Sequence, residues 1–452
     1  MVRNMTEDQI LINIIRYLKE AKKKDFQELI NELQPYDIGI LYENLPEKHQ
    51  TRFLSNLTLQ QLANLLQEVN KDTQVVIIKK VSKERIAKVM DLMDNDDLAN
   101  LISELSEDEK EEFLAALNDE EAIIVQNIMN YPEETAGRLM TNRYVWIPVY
   151  YTVKDVVDKL KTFAELAETI NYLYVIDEEK RLVGVLSYRD LILADPHEQV
   201  KEIMFSRVIS VHVNVDQEEV AQVIERYDFL AVPVVEDNDV LVGIITVDDV
   251  IDIVIKEANE DIEKLSASGK DIDFDTRAPI AAYRRLPWLI LLLFIGVLSG
   301  SIISSFQATL NKVVALAFFM PMISGMTGNT GTQSLAVVVR GLISRDIDKK
   351  VVANLIMREL GVGAIIGITC GVLISGIAYF WQGNLQLGFV VGISLFCTLI
   401  IGTISGTVIP LLLYKLKIDP AVASGPLITT INDILSLLIY FGVATAFLTA
   451  IM

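Results

Sequence analysis

The sequence predicts a multidomain chain: an acidic all-α helical N-terminal domain, an α/β internal repeat, an acidic connecting helix and a five-span α-helical membrane domain. Three observations predict it. Charge is divided sharply along the 452 residues: residues 1–286 hold 32 Lys and Arg against 56 Asp and Glu, whereas residues 287–452 hold 8 against 5 and are rich in Leu, Ile, Val, Gly and Ala. A pattern in the middle of the chain occurs twice, 59 residues apart. The apolar end divides into runs of about 20 residues or more, the length that crosses a bilayer core.

Residues 1–130 form the first domain. Leu and Ile recur there at three- and four-residue spacing, the helical period, between short acidic links. In MDLMDNDDLANLISELSEDE (90–109), Asp94, Asp96 and Asp97 stand at an expected helix start. Capping and the helix dipole account for acids at that place, and EF-hand spacing is missing. The acidic excess argues against a nucleic-acid partner, which needs clustered Lys and Arg. It suits cations or a solvated surface. The N-terminus, MVRNMTEDQILINII, lacks the apolar core of a signal peptide and is expected to stay in the cytoplasm. Cys370 and Cys397 lie in apolar runs and imply no disulfide framework. His49, His197 and His212 form no cluster, and no zinc spacing occurs. With no nucleophile–base set in view, enzyme chemistry is not predicted.

Residues 131–253 carry the repeat. YVIDEEKRLVGVLSYRDLI (174–192) aligns with PVVEDNDVLVGIITVDDVI (233–251), and LMTNRYVWIPVYYTVKDVVDKL matches IMFSRVISVHVNVDQEEVAQVI upstream. Each copy reads strand, helix, strand, turn, strand, helix, and two such copies should stack. The G-h-h-[ST]-x-x-D turns at 184–190 and 243–249 make the pair resemble a tandem of CBS domains, usually regulatory modules. That resemblance implies a site for ATP or another adenine nucleotide at Ser187, Asp190, Thr246 and Asp249. The same turn also occurs in pairs that bind none.

Residues 254–283 connect the repeat to the membrane. The stretch DDVIDIVIKEANEDIEKLSAS (248–268) puts Asp248, Asp249, Asp252, Glu257, Glu260 and Asp261 on a helix leading to the first span. A solvated linker or a gate would each explain them.

The membrane domain, 284–452, has expected spans at 287–306, 313–339, 353–380, 385–413 and 421–450. Basic residues set their orientation. Arg284 and Arg285 precede the first span; the second link carries Arg340, Arg345, Lys349, Lys350 and Arg358; the fourth carries Lys415 and Lys417. The first link has only Lys312 and the third, WQGNLQLG, has none. This alternation places the N-terminus inside and the C-terminus outside. The second span contains PMISGMTGNTGTQ (321–333), where Pro321 and three glycines predict a broken helix. Non-helical backbone at that depth survives only against protein or a water-filled cavity, and Thr327, Asn329, Thr330 and Gln333 would supply oxygens. GxxxG pairs at 296/300, 363/367, 367/371 and 402/406 predict close helix packing.

Asp433 lies in the middle of the last span. A carboxylate there costs roughly 2.5–3.5 kcal/mol on insertion scales. It is a cation site, a proton relay or an acid paired with a neighbour. Thr429 stands one turn before it on the same face, with Gly425 and Pro426 a turn earlier.

An acidic helical domain, a CBS pair, an acidic connecting helix and five spans occur together in the MgtE magnesium channel family, which this chain resembles over its whole length. The resemblance rests on YPEETAGRLMT (131–141), TVDDVIDIV (246–254), ALAFFMPMISGMTGNTGTQS (315–334), RELGVG (358–363) and DPAVASGPLITTIND (419–433). It implies a homodimer with a pore between protomers, in which Asp433, with Asn329, Gly325 and Thr429, holds hydrated Mg²⁺. It implies cytosolic Mg²⁺ sensing by Asp96, Glu218, Asp228, Asp249, Asp252, Glu257, Glu260 and Glu359, which closes the pore. Co²⁺ and Mn²⁺ are further cargo candidates. Three positions depart from the family pattern: Asn100, one turn after Asp96; Glu225; and Gly425, before the Pro of the last span. The alternative to a channel is a proton- or sodium-coupled secondary transporter with Asp433 as carrier acid.

Overall fold

Small polar residues start the helices. Thr6 and Thr58 each cap a helix through a reciprocal box with Gln9 and Gln61, and the Asn70 side chain accepts from the Thr73 amide at 2.9 Å. These bonds satisfy amides that have no partner inside the helix. The computed structural model describes residues 5–115, 117–167, 169–268, 272, 276–343 and 348–447. It divides into two units, residues 1–255 and 256–452.

In the first unit the described residues between Glu7 and Asn130 form ten helices. Two of them matter below: α1 (Leu59–Glu68) and α2 (Asn95–Ser103). Their apolar stripes face inward. Ile14, Phe53, Leu62, Leu65 and Leu98 are fully buried, and the same apolar core continues into Val220, Val232 and Val250 of the second repeat. The helical array and the second repeat therefore share a core, while the first repeat packs around its own.

Each repeat makes a three-stranded sheet of the same order. Strands β1 (Trp146–Pro148), β2 (Tyr172–Ile176) and β3 (Leu182–Ser187) pair in that order, as do β4 (Val211–His212), β5 (Ala231–Val235) and β6 (Leu241–Thr246). The first pair of each sheet is parallel and the second antiparallel. The segments that enter the repeats are exchanged. Thr141, before the first repeat, bonds both ways with Ile244 of β6 at 2.9 Å. Phe205, before the second, does the same with Val185 of β3. Glycine makes room for both crossings: a Cβ on Gly243 would meet Met140 Sδ at 2.7 Å, and one on Gly184 would overlap Met204.

Helix α3 (Val247–Ser266) follows β6 directly and is 20 residues long. It starts inside the second repeat, before the expected boundary at 254. Residues 269–271 and 273–275 of the connecting region lie outside the described residues.

The second unit contains α4 (Ala278–Ser305), α5 (Leu316–Ile343), α6 (Lys349–Gln382), α7 (Leu385–Lys415) and α8 (Gly425–Ala446). Four of them, α4, α6, α7 and α8, are long and apolar enough to cross a membrane. The 28 residues of α5 have the length but not the hydropathy, because PMISGMTGNTGTQ is polar. Arg345 of the expected basic link and the last residues of the expected fifth span, 448–450, lie outside the described residues.

The structure corrects one expectation. Helix α5 is continuous; Pro321 sits near its N-terminal end, where few bonds are lost, and the three glycines remain helical. Their purpose is proximity. A Cβ on Gly328 would meet Thr429 Cγ2 at 2.9 Å, and one on Gly331 would overlap the Asn432 amide, both on α8. The GxxxG pairs divide in the same way. Gly363, Gly367 and Gly371 of α6 press on α7; Gly402 and Gly406 of α7 press on the Thr327 and Gly331 carbonyls of α5; Gly296 and Gly300 of α4 meet nothing within 4 Å. In α4 the apolar window is 0 % buried, against 61 % in α7, so α7 is the centre of the unit.

A Cβ on Gly406 has nowhere to go, because its neighbour is backbone. Gly406→Ala should cost about 1–3 kcal/mol, the usual range for overpacking. Gly376→Ala, in open space, should cost nothing and add helix propensity. Thermal unfolding of the detergent-solubilised protein compares the two; equal midpoints would contradict the packing described.

Candidate functional site

The close approach of α5 and α8 determines what surrounds Asp433. The Ser324 hydroxyl of α5 donates to the Asp433 carboxylate, which is half-buried. One residue earlier Asn432 is fully buried; it accepts from Ser405 of α7, and its amide points at the Thr327 carbonyl of α5. Asn432 is thus the pin between three helices, and Asp433 is the polar group left facing outward. Thr429 packs on Gly328, one turn away. Gly325 and Asn329 are exposed, four residues apart on one face of α5, with nothing within 4 Å of a Gly325 Cβ. Ser324 and Asn432 were not singled out in the sequence. Both stand inside the motifs quoted above, but short polar side chains in apolar helices more often bond their own backbone.

The acids expected to sense cytosolic Mg²⁺ fall into separate groups. In the first unit, α1, the start of α2 and the start of α3 bring their acids into one field. Gln67 donates to Asp94 at 2.9 Å and to Asp97 at 2.8 Å. Burial pushes the Asp97 carboxyl up to about 6, and Asp94, Glu68 and Asp252 add to the rise, against the Gln67 bond. Burial also lifts Asp249 to about 6; the Thr246 hydroxyl, 2.6 Å away, opposes this, while Asp248 and Asp97 reinforce it. Glu68 is raised by burial and by Asp252. These acids are held near one another at an electrostatic cost. Asp97, the neighbour of the expected Asp96, shares this field with Asp252. Asp96 is buried in the same turn.

Glu218 and Asp228 lie at opposite ends of the helix Gln217–Tyr227, about 15 Å apart at 1.5 Å per residue. They do not converge within the chain. Glu359 is buried, accepts from Ser334 of α5 at 2.8 Å and pairs with Arg358 at 2.9 Å, so it ties α6 to α5. Among the described residues no three His, Cys, Asp or Glu side chains converge tightly enough to hold a bare metal ion.

The end of α3 belongs to the second unit. Lys264 Nζ lies 2.6 Å from Asp419 Oδ2, in the link between α7 and α8, and 2.9 Å from Glu260. Leu265 packs beside Leu335 and Val339 of α5 and Ala421, Ala423 and Ile428 of the link and α8. A Cβ on Gly425 would stand 3.5 Å from the Leu265 carbonyl, so the departure at that position lies under the helix end.

Of the expected nucleotide residues, Ser187 and Asp190 bond each other at 2.5 Å, and Thr246 and Asp249 at 2.6 Å. Both pairs start helices. A separate cleft of about 100 Å³ between the two repeats is lined by Tyr172, Tyr174, Phe205, Arg207, Phe229 and Pro233, among others, and none of the four expected residues lines it.

The pH dependence of the acid group has a definite sign. The folded carboxyls of Asp97 and Asp249 hold protons more tightly than unfolded ones. Without divalent ions, the stability of the first unit should therefore rise as pH falls through about 6, and decline as pH climbs past it. Asp97→Asn should raise the unfolding midpoint of the full-length protein at pH 7.5 and flatten its slope between pH 7.5 and 5.5. Parallel slopes in wild type and variant would contradict this.

Comparison with known proteins follows the same division. A family model described as "Divalent cation transporter" matches residues 320–443, one described as "MgtE intracellular N domain" matches 33–134, and CBS domain models match 136–197 and 200–256. The chain is 62 % identical over 448 residues to "Magnesium transporter MgtE" of Bacillus subtilis (strain 168), covering 99 % of each. A crystal structure of the soluble part of a magnesium transporter superposes with a TM-score of 0.54 at 37 % identity, covering 56 % of this chain and all of the other. The cytosolic domain of the Mg²⁺ channel MgtE in complex with ATP gives 0.52 at 35 % identity, covering 54 % of this chain and 99 % of the other.

Proposed function

This chain belongs to the MgtE family of magnesium transporters, and on that premise we propose that it is a homodimeric, channel-type importer of Mg²⁺ that closes when cytosolic Mg²⁺ rises. It is a membrane protein and not an enzyme. The observation that carries the channel reading is Asp433: a half-buried carboxylate in an apolar helix, held by one hydroxyl, while the basic residues of the unit stand toward helix ends. Such a group calls for a cation. Mg²⁺ sheds water reluctantly and is commonly held through its shell. Two Asp433 carboxylates from two protomers, with Asn329 and Thr429 nearby on the pore face, would grip the hydrated ion, and weak binding leaves it free to exit. With the N-terminus inside, α5 serves as the fifth span, its low hydropathy explained by a wet face. The membrane potential drives entry by roughly 4.6 kcal/mol per 100 mV for a divalent ion.

Closure uses the acids. Without Mg²⁺, Glu68, Asp94 and Asp97 oppose Asp249 and Asp252. Bound Mg²⁺ relieves that repulsion and so favours the compact state; it must bind that state better to shift the population. No tight chelating group is needed, because a hydrated ion bridges carboxylates through its waters. Glu257 and Glu260 carry the charge along α3 toward the pore. The cleft between the repeats suits an adenine nucleotide: its tyrosines and phenylalanines offer stacking faces, Arg207 offers phosphate contacts, and a relative's cytosolic domain binds ATP.

Divalent-ion flux into proteoliposomes tests the reading. Wild type should conduct at low internal Mg²⁺ and close at millimolar internal Mg²⁺. Asp433→Ala should reduce flux at least tenfold. The Asp249→Asn, Asp252→Asn, Glu257→Gln variant should keep conducting at high internal Mg²⁺. Flux that survives Asp433→Ala moves the pore site to the α5 polar groups, and a fixed proton or sodium stoichiometry identifies a coupled transporter instead.

A further inference from the structure

The gate acids all carry negative charge, yet at the end of α3 the structure already supplies a cation of its own. Lys264 is the last basic residue of that helix, and its ammonium is shared by Glu260, one turn back, and Asp419, on the link that leads into α8. Asp419 uses its other oxygen to accept from the Ala421 amide at 2.8 Å, so its carboxylate cannot turn away without uncapping the turn Pro420–Val422. The next residue, Leu265, plugs into apolar side chains of α5, the link and α8. The ion pair and the apolar contact therefore fasten the same helix turn to the helix that carries Asp433, some two turns before that acid.

We propose that Lys264 is a positioning residue of the gate: its ammonium stands in for a divalent ion between Glu260 and Asp419, and holds the end of α3 docked on the α7–α8 link. Asp261 follows Glu260 directly on the same helix. Remove the ammonium and Asp419 loses the cation it shares with Glu260. Closing then requires Mg²⁺ to overcome repulsion at this junction as well as at the Asp97–Asp252 group. With Lys264 present, part of that repulsion is offset in advance. The Mg²⁺ threshold is then left to the acids upstream. This inference rests on the proposed closure by cytosolic Mg²⁺.

The test compares full-length wild type, Lys264→Gln, Lys264→Arg, Asp419→Asn and the Lys264→Gln/Asp419→Asn double variant in proteoliposomes, with internal Mg²⁺ varied. Asn at 419 keeps the oxygen that caps Ala421. The Mg²⁺ concentration for half-closure should rise at least threefold in Lys264→Gln and return toward wild type in Lys264→Arg. The double variant should need no more Mg²⁺ than Lys264→Gln alone, since the repulsion it exposes has been removed. In parallel, hydrogen exchange of residues 256–266 at zero Mg²⁺ should be faster in Lys264→Gln than in wild type or Lys264→Arg, whatever the flux does. An unchanged threshold, or unchanged exchange, would overturn the proposal. A lower threshold would also overturn it, because the ammonium would then be excluding Mg²⁺ from the two acids. If wild type itself fails to close with Mg²⁺, the gating premise falls, while the exchange comparison still decides whether Lys264 fastens the helix.

Discussion

An ionised carboxylate inside an apolar helix must have a polar partner, a cation or a path to water. Much of the second unit follows from that constraint on Asp433. To bring Ser324 within reach, α5 must approach α8 more closely than ordinary side chains permit, and Gly328 and Gly331 allow it. The approach has to be rigid, or the hydroxyl drifts away. Asn432 supplies rigidity by engaging α5 and α7 at once. Gly402 and Gly406 then let α7 close from the other side. The glycines that looked like helix breakers are the reason three helices can meet around one polar pair.

The same electrostatic device recurs in the soluble unit with the opposite balance. Around Asp433 the protein offers a hydroxyl. Around Asp97, Asp249 and Asp252 it collects acids and buries them enough to raise two carboxyls to about 6. Where the junction must hold without help, at Asp419, the fold provides Lys264 instead.

Much of this was legible in the sequence. The charge divide, the repeat and the apolar runs lead to the helical array, the paired sheets and the membrane helices, because hydrophobic period and run length are local properties. What failed was relational. The glycines and Pro321 of α5 predict a break when read along one helix; across helices they are contact surface. That Asp97 shares a field with Asp252 depends on the placement of α3, which no pattern along its own helix records. Glu359, expected as a cytosolic Mg²⁺-sensing acid, is buried against Ser334. Ser324 and Asn432 carry no signal of their own, since a hydroxyl or an amide gains meaning from what faces it.

The exchanged arms of the repeat pair have a bearing on how such a module arises. Met140 fills the gap over Gly243 and Met204 the gap over Gly184, and each arm adds its bridge to the sheet of the other copy. Neither half can be completed by its own arm. A single ancestral copy with the same glycine and the same arm would close only against a second molecule, as a symmetric pair with swapped ends. Fusing two such genes would convert that swap into a bond within one chain. Thereafter each half could change its sequence freely everywhere except where it must still accept the arm of the other.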